Sequence, residues 1–243
     1  MSDQKLRVGI LETGRPPEEL APTHGDYPGM VQQWLGNLDA DFSSYAVLDE
    51  EFPASPNDAD LWVITGSKFG AYEDHPWIPP LEEFIRGARD SGKLMFGICF
   101  GHQMIAQALG GVVRKSDKGW GLGVHEYPTT GKWPGELGDA PEKIAIQAYH
   151  QDQVEEKPEG AVTIASTDFC EHGALWYPGF AVTVQGHPEF AKPYASDLLE
   201  SRRGTVLKDE DVDQGQRNMA IEDNRSMVAN LIREYLLKQK TPA

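Results

Sequence analysis

Residues 94–109 read as one strand–turn–helix unit. Leu94-Met-Phe-Gly-Ile98 has no polar side chain, so the strand it forms must be covered on both faces. Cys99-Phe-Gly101 turns the chain, and apolar residues then recur at helical spacing to Leu109, before Gly110-Gly111. Leu6–Leu11 and Asp60–Gly66 are further short apolar runs that end at glycine-bearing turns, and Phe42–Leu48 is rich in β-formers. Helical spacing fills the gaps. Met30, Val31, Trp34, Leu35 and Leu38 form one stripe, and Trp77–Arg89 forms another, with Pro79 and Pro80 confined to its first turn. Strands buried on both faces and alternating with helices make a parallel sheet between two helical layers. The sequence therefore predicts an α/β fold with a three-layer, doubly wound, mostly parallel sheet.

After Leu109 the pattern changes. Val112–Arg114, Leu122–Tyr127, Lys143–Gln147, Val162–Ser166 and Phe180–Gln185 are short β-like runs separated by Gly- and Pro-rich turns. They predict sheet extensions and a small antiparallel flank. Ala220, Ile221, Met227, Val228, Leu231, Ile232 and Tyr235 predict one amphipathic helix over Arg217–Gln239. The polar, acidic stretch Gly204–Gln216 reads as a linker. Glu12–Gly29, with Pro16, Pro17, Pro22 and Pro28, reads as a long loop leaving the carboxyl end of the first strand, near the crevice. Residues 1–243 are read as a single domain, with a core over 6–190 and a C-terminal helical appendage over 191–243.

Charge narrows the partners. The 243 residues carry a net charge of −16, which argues against a nucleic-acid backbone and against an anionic membrane surface. The start is acidic, and the apolar run Val8–Leu11 is too short for the core of a signal peptide. Leu94–Phe100 is far below the roughly 20 residues that span a bilayer. Two cysteines, Cys99 and Cys170, make no disulfide framework, so a reduced cytoplasmic protein is expected.

Gly97-x-Cys99-x-Gly101, between a buried strand and a helix, has the form of a nucleophile elbow with sulfur as the attacking atom. The sharp turn needs small residues two positions either side, and the positive end of the helix dipole favours thiolate. A thiol nucleophile also needs a base and a group to orient it. Val182-Thr-Val-Gln185-Gly186-His187-Pro188-Glu189 supplies both just past another strand end, a position that shares one crevice with the elbow. The order Cys99, His187, Glu189 differs from the nucleophile–acid–His order of α/β-hydrolases.

Gly-Ile-Cys99-Phe-Gly-His-Gln followed by Gln-Gly-His187-Pro-Glu189 resembles the class I, triad-type glutamine amidotransferase domain. The resemblance covers about Leu6–Phe190. Ile64-Thr-Gly-Ser67, Gly119-Trp-Gly-Leu-Gly-Val-His125 and His150-Gln-Asp-Gln-Val154 are similar to stand-alone members, γ-glutamyl peptidase-like proteins among them. The resemblance implies a flavodoxin-like sheet and attack on a γ-glutamyl carboxamide through a glutamyl thioester. Cys99 would be nucleophile, His187 base and acid, and Glu189 orienter. The backbone N–H groups of Gly66 and Phe100 would form the oxyanion hole. Ser67 and Gln103 would touch the glutamyl group, and Tyr149, His150 and Gln151 would bound its α-end. Many members have Gly-Gly-Pro where this chain has Gly66-Ser67-Lys68. No cofactor is implied. The partner is a small γ-glutamyl substrate or, as an alternative, a separate synthetase chain that receives ammonia. A catalytically inert binding module is the third reading.

Other motifs carry less. Gly87–Lys93 looks like a phosphate loop, but it runs from helix to strand and lacks the following Ser or Thr. Asp209–Asp213 resembles a calcium loop with Gly215 misplaced and Ala220 where the bidentate Glu belongs. Asn224-Arg-Ser226 fits a glycosylation site but falls in the predicted C-terminal helix. Cys170 reads as a packed thiol, and His24, His75, His125 and His172 lack metal-ligand spacing, so no metal is expected.

Overall fold

The computed structural model describes residues 5–36 and 38–240; the acidic start at residues 1–4, Asn37 and residues 241–243 lie outside the described residues. The chain runs β1 (Leu6–Leu11), α1 (Ala21–His24), α2 (Tyr27–Trp34), β2 (Ala40–Tyr45), β3 (Leu61–Ile64), α3 (Ile78–Asp90), β4 (Leu94–Ile98) and α4 (Phe100–Ala108). There follow β5 (Val112–Lys115), β6 (Gly121–Pro128), β7 (Lys143–His150), β8 (Asp152–Glu156), β9 (Val162–Ala165), β10 (Ala174–Tyr177) and β11 (Ala181–Val184). Three helices close it: α5 (Lys192–Ser201), α6 (Asp209–Asn218) and α7 (Arg225–Lys240).

A seven-stranded sheet has the order β2-β1-β3-β4-β11-β10-β9. The first five are parallel, whereas β10 and β9 join antiparallel. β5 pairs with β8 and β6 with β7, both antiparallel, outside that sheet. The doubly wound α/β architecture is as expected, with the antiparallel flank attached to one side.

Alternation along the strands divides the core. Val63 and Phe96 face one layer, where Val31 and Trp34 of α2 and Val228 and Ile232 of α7 pack. Trp62 and Met95 face the other, against Leu81 and Ile85 of α3 and Met104 and Ile105 of α4. β3 and β4 are buried at every position, as an interior parallel strand requires. A third apolar cluster joins Leu198 and Leu199 of α5 to Val212 of α6 and Leu122 of β6.

Three expectations are corrected. The stretch read as a linker is mostly helix α6, and Gly215 in it packs against Leu122 and Leu199. Its acidic residues are no mark of a free linker, because Asp209, Glu210 and Asp211 occupy the first turn, where they favour the helix dipole. The C-terminal helix begins at Arg225 rather than Arg217, because Asn224 docks on β7 before the helix starts. The Asn224 Oδ1 accepts from the Ala145 N–H at 2.7 Å and its Nδ2 donates to the Lys143 carbonyl at 2.8 Å. Within Glu12–Gly29, α1 and the start of α2 are helical, and His24 Nε2 meets Asp197 of α5 at 2.7 Å. β8 and β10 were not anticipated.

No helix of the described residues is long and apolar enough to cross a membrane. Cys170 is buried, and burial pushes its thiol up to about 12. Two histidines are held neutral inside. Burial lowers His102 and His150 each to about 3. An unfolded histidine takes its proton near pH 6.5, so below that pH the unfolded chain binds more protons than the folded one. Stability is therefore expected to fall with acidification, by about 1.4 kcal/mol per pH unit for each of the two below about pH 6. Urea midpoints at pH 7, 6 and 5 check this; a flat series would contradict it.

Candidate active site

The elbow sits where β4 meets α4. Cys99 is in a left-handed conformation, with φ 50° and ψ −99°, which few non-glycine residues adopt. Such backbone persists only where its surroundings enforce it. Here Gly97 and Gly101 permit the turn. A Cβ on Gly101 would lie 2.5 Å from the Ile64 carbonyl, and one on Gly97 would lie 2.7 Å from Gly101 itself. The thiol is nearly buried, and the Gln185 side-chain amide donates to Sγ at 3.7 Å.

β11 pairs directly with β4, so the segment beyond Val184 arrives beside the elbow. His187 Nδ1 donates to Glu189 Oε1 at 2.8 Å, and His187 lines the same cavity as Cys99. Phe190 stacks on the imidazole at 4.0 Å between centroids, and Gly66 closes the ring's edge, since a Cβ there would lie 2.6 Å from His187 Cε1. The His187 N–H donates to the Gln147 carbonyl at 2.6 Å. Burial alone would lower the imidazole, but the Glu189 carboxylate and the Cys99 sulfur outweigh it and raise His187 to about 10. The imidazole thus holds a proton at neutral pH.

The remaining candidates divide. Ser67, Gln103, Tyr149, His150 and Gln151 line one cavity of about 510 Å³ together with Cys99 and His187. Gln103 is largely committed to the protein, donating to the Asp152 carbonyl at 2.9 Å and to Gln185 at 3.3 Å. The Ser67 hydroxyl accepts from the Phe69 N–H at 3.2 Å. Gly66 is fixed by Thr13, whose hydroxyl donates to the Thr65 carbonyl at 2.9 Å and also reaches the Gly66 carbonyl at 3.2 Å. Phe100 is buried at the start of α4. Arg15 and Pro17 put the proline-rich segment on the cavity wall. No group of three or more His, Cys, Asp or Glu among the described residues is placed to hold a metal ion.

The match to a family model decides what kind of chain this is: residues 49–202 fit the class-I glutamine amidotransferase domain. The chain belongs to that family. Gamma-glutamyl peptidase 4 of Arabidopsis thaliana is 34% identical over 212 residues, spanning 82% of each chain. Gamma-glutamyl peptidase 5 of the same plant is 29% identical over 224 residues, 88% of each. The fold is shared with a glutamine amidotransferase from Thermotoga maritima at TM-score 0.73 and 19% identity, covering 96% of this chain and 99% of that one. Another, from Methylobacillus flagellatus, superposes at TM-score 0.75 with 18% identity, covering 99% and 97%.

Several residues around this cavity carried no role in the sequence reading. Gln185 and Phe190 flank the His-Pro-Glu motif and could have been suspected from position alone. Thr13 and Arg225 could not. Arg225 opens α7, and its guanidinium donates to the Pro188 carbonyl at 2.6 Å and the Glu189 carbonyl at 3.0 Å. Trp34 Nε1 in turn donates to the Arg225 carbonyl at 2.9 Å. The C-terminal segment thus clamps the turn that carries Glu189.

Proposed function

We propose that this chain is a cysteine-dependent hydrolase of γ-glutamyl amide bonds, with Cys99, His187 and Glu189 as its triad. The observation that carries the reading is the elbow Cys99 held at positive φ in the same cavity as a buried His187 that is itself bonded to Glu189. A protonated imidazole beside a thiolate is the reactive form of such a pair.

The Cys99 sulfur attacks the γ-carbonyl carbon and its electron pair forms the new C–S bond. The carbonyl electrons move to oxygen, where the backbone N–H groups of Gly66 and Phe100 receive the charge. Collapse breaks the C–N bond as His187 gives its proton to the departing amine. A water molecule then loses a proton to His187 and attacks the glutamyl thioester, releasing glutamate and restoring Cys99. Glu189 keeps the ring oriented and stabilises its cationic form, and no cofactor is needed.

A cavity of about 510 Å³ is more than glutamine alone would fill, which favours a peptide or alkylamide leaving group over ammonia. Purified protein alone is therefore expected to release glutamate from a γ-glutamyl dipeptide or alkylamide at least as fast as from glutamine. Turnover that appears only with an added synthetase would instead support ammonia delivery to a separate subunit.

Arg225 supports this chemistry without touching the reacting atoms. Arg225→Ala frees the carbonyls of Pro188 and Glu189, and small displacements of a catalytic group lower rates about 10- to 100-fold. The expected result is that loss in kcat with KM little changed, and partial recovery in Arg225→Lys. Unchanged kcat would leave the clamp a purely structural contact.

A further inference from the structure

The cavity lining has two chemically different stretches. In one, Tyr72, Glu73, Lys115 and Asp152 lie together: a Cβ on Gly70 would lie 2.9 Å from the Tyr72 ring and 3.2 Å from Asp152 Oδ2, and Lys115 and Glu73 both act on the Asp152 carboxyl. This stretch offers both signs of charge. In the other, the rings of Trp120 and Tyr149 lie 5.5 Å apart, Leu198 and the exposed Val206 extend the apolar surface, and Arg202 acts on Tyr149. Arg202 has no carboxylate within ion-pair distance among the described residues, in a chain whose net charge is −16. An uncompensated guanidinium beside an aromatic, partly apolar surface suits a ligand that is apolar along its length and anionic at its end.

Resting on the assignment of γ-glutamyl hydrolysis, we infer that the leaving group is an apolar amino acid with a free α-carboxylate, seated on Trp120 and Tyr149 with its carboxylate on Arg202. The mixed-charge stretch then takes the glutamyl α-ammonium on Asp152 and Glu73 and its α-carboxylate on Lys115. Tyr149 belongs with the leaving group rather than with the glutamyl α-end, although His150 and Gln151 follow it directly. A γ-glutamyl dipeptide ending in a bulky apolar residue is the substrate class.

The test compares γ-glutamyl-phenylalanine with γ-glutamyl-phenethylamide, which differ only in the carboxylate, and uses γ-glutamyl-glycine as the small control. Wild-type kcat/KM should favour the phenylalanine compound over the phenethylamide about tenfold, the scale of one charge-assisted contact. Arg202→Gln should bring that ratio near one, and Arg202→Lys should keep most of it. Trp120→Ala should erase the preference for phenylalanine over glycine while leaving the carboxylate ratio in place. Lys115→Gln should slow all three compounds alike. A wild-type ratio near one, a ratio that survives Arg202→Gln, or one that collapses only in Lys115→Gln overturns the inference. If glutamate is released from all these amides at one rate, the hydrolase reading stands and only the inference falls. If neither these amides nor glutamine releases glutamate, the hydrolase reading itself fails.

Discussion

Cys99→Ala is expected to abolish glutamate release, with a loss of roughly 10⁴-fold or more, while the fold persists. Its side chain is the only part of the elbow that can bond to carbon, and the backbone turn is held by Gly97, Gly101 and the strand pairing of β4, none of which is altered. The side chain is small, so removing its sulfur leaves little cavity. Serine should do almost as badly, because an alcohol beside His187 is not ionised in advance. Turnover within tenfold of wild type, at unchanged circular dichroism and melting temperature, would remove Cys99 from the mechanism.

The second large effect belongs to Glu189→Gln. Its carboxylate is buried and opposes the desolvation that would otherwise leave His187 neutral. Gln is close in shape and can still accept from Nδ1, so the geometry should survive. What disappears is the negative charge that keeps the imidazole protonated. With burial then less opposed, His187 falls below its raised value and stabilises a neighbouring thiolate less. The kcat is expected to drop about 10- to 10⁴-fold with the fold intact. The His187 titration, followed by NMR, should move to lower pH in the same variant. An unchanged His187 titration would mean that the charge of Glu189 has no hold on the ring.

Much of this molecule is legible in its sequence because burial leaves a plain record. β1 and β4 have the bounds that their apolar runs predict, since interior parallel strands must be apolar on both faces. The elbow and the His-Pro-Glu turn are also local, each carried by a few adjacent residues. β8 was missed because Asp152–Glu156 is polar at both ends, whereas Ala174–Tyr177 of β10 is as short as β3 and as deeply buried, and was legible in principle. α6 was missed because its composition is acidic and only Val212 and Gly215 are buried. Contacts that depend on long-range packing leave no local pattern at all. Thr13 against Thr65 and Arg225 against Pro188 are of this kind, for nothing near either residue announces its partner.

The pairing of β4 with β11, Phe96 opposite Val182, has a consequence for how the protein is made. The ribosome delivers the chain from its N-terminus, so Cys99 emerges well before β11, the strand that leads to His187. A nascent chain that ends in β9 holds the thiol without His187, and one that ends in α5 still lacks the Arg225 clamp. If Cys99 and His187 act together as proposed, the pair can form only once β11 has paired with β4, and the Arg225 contact only once α7 is in place.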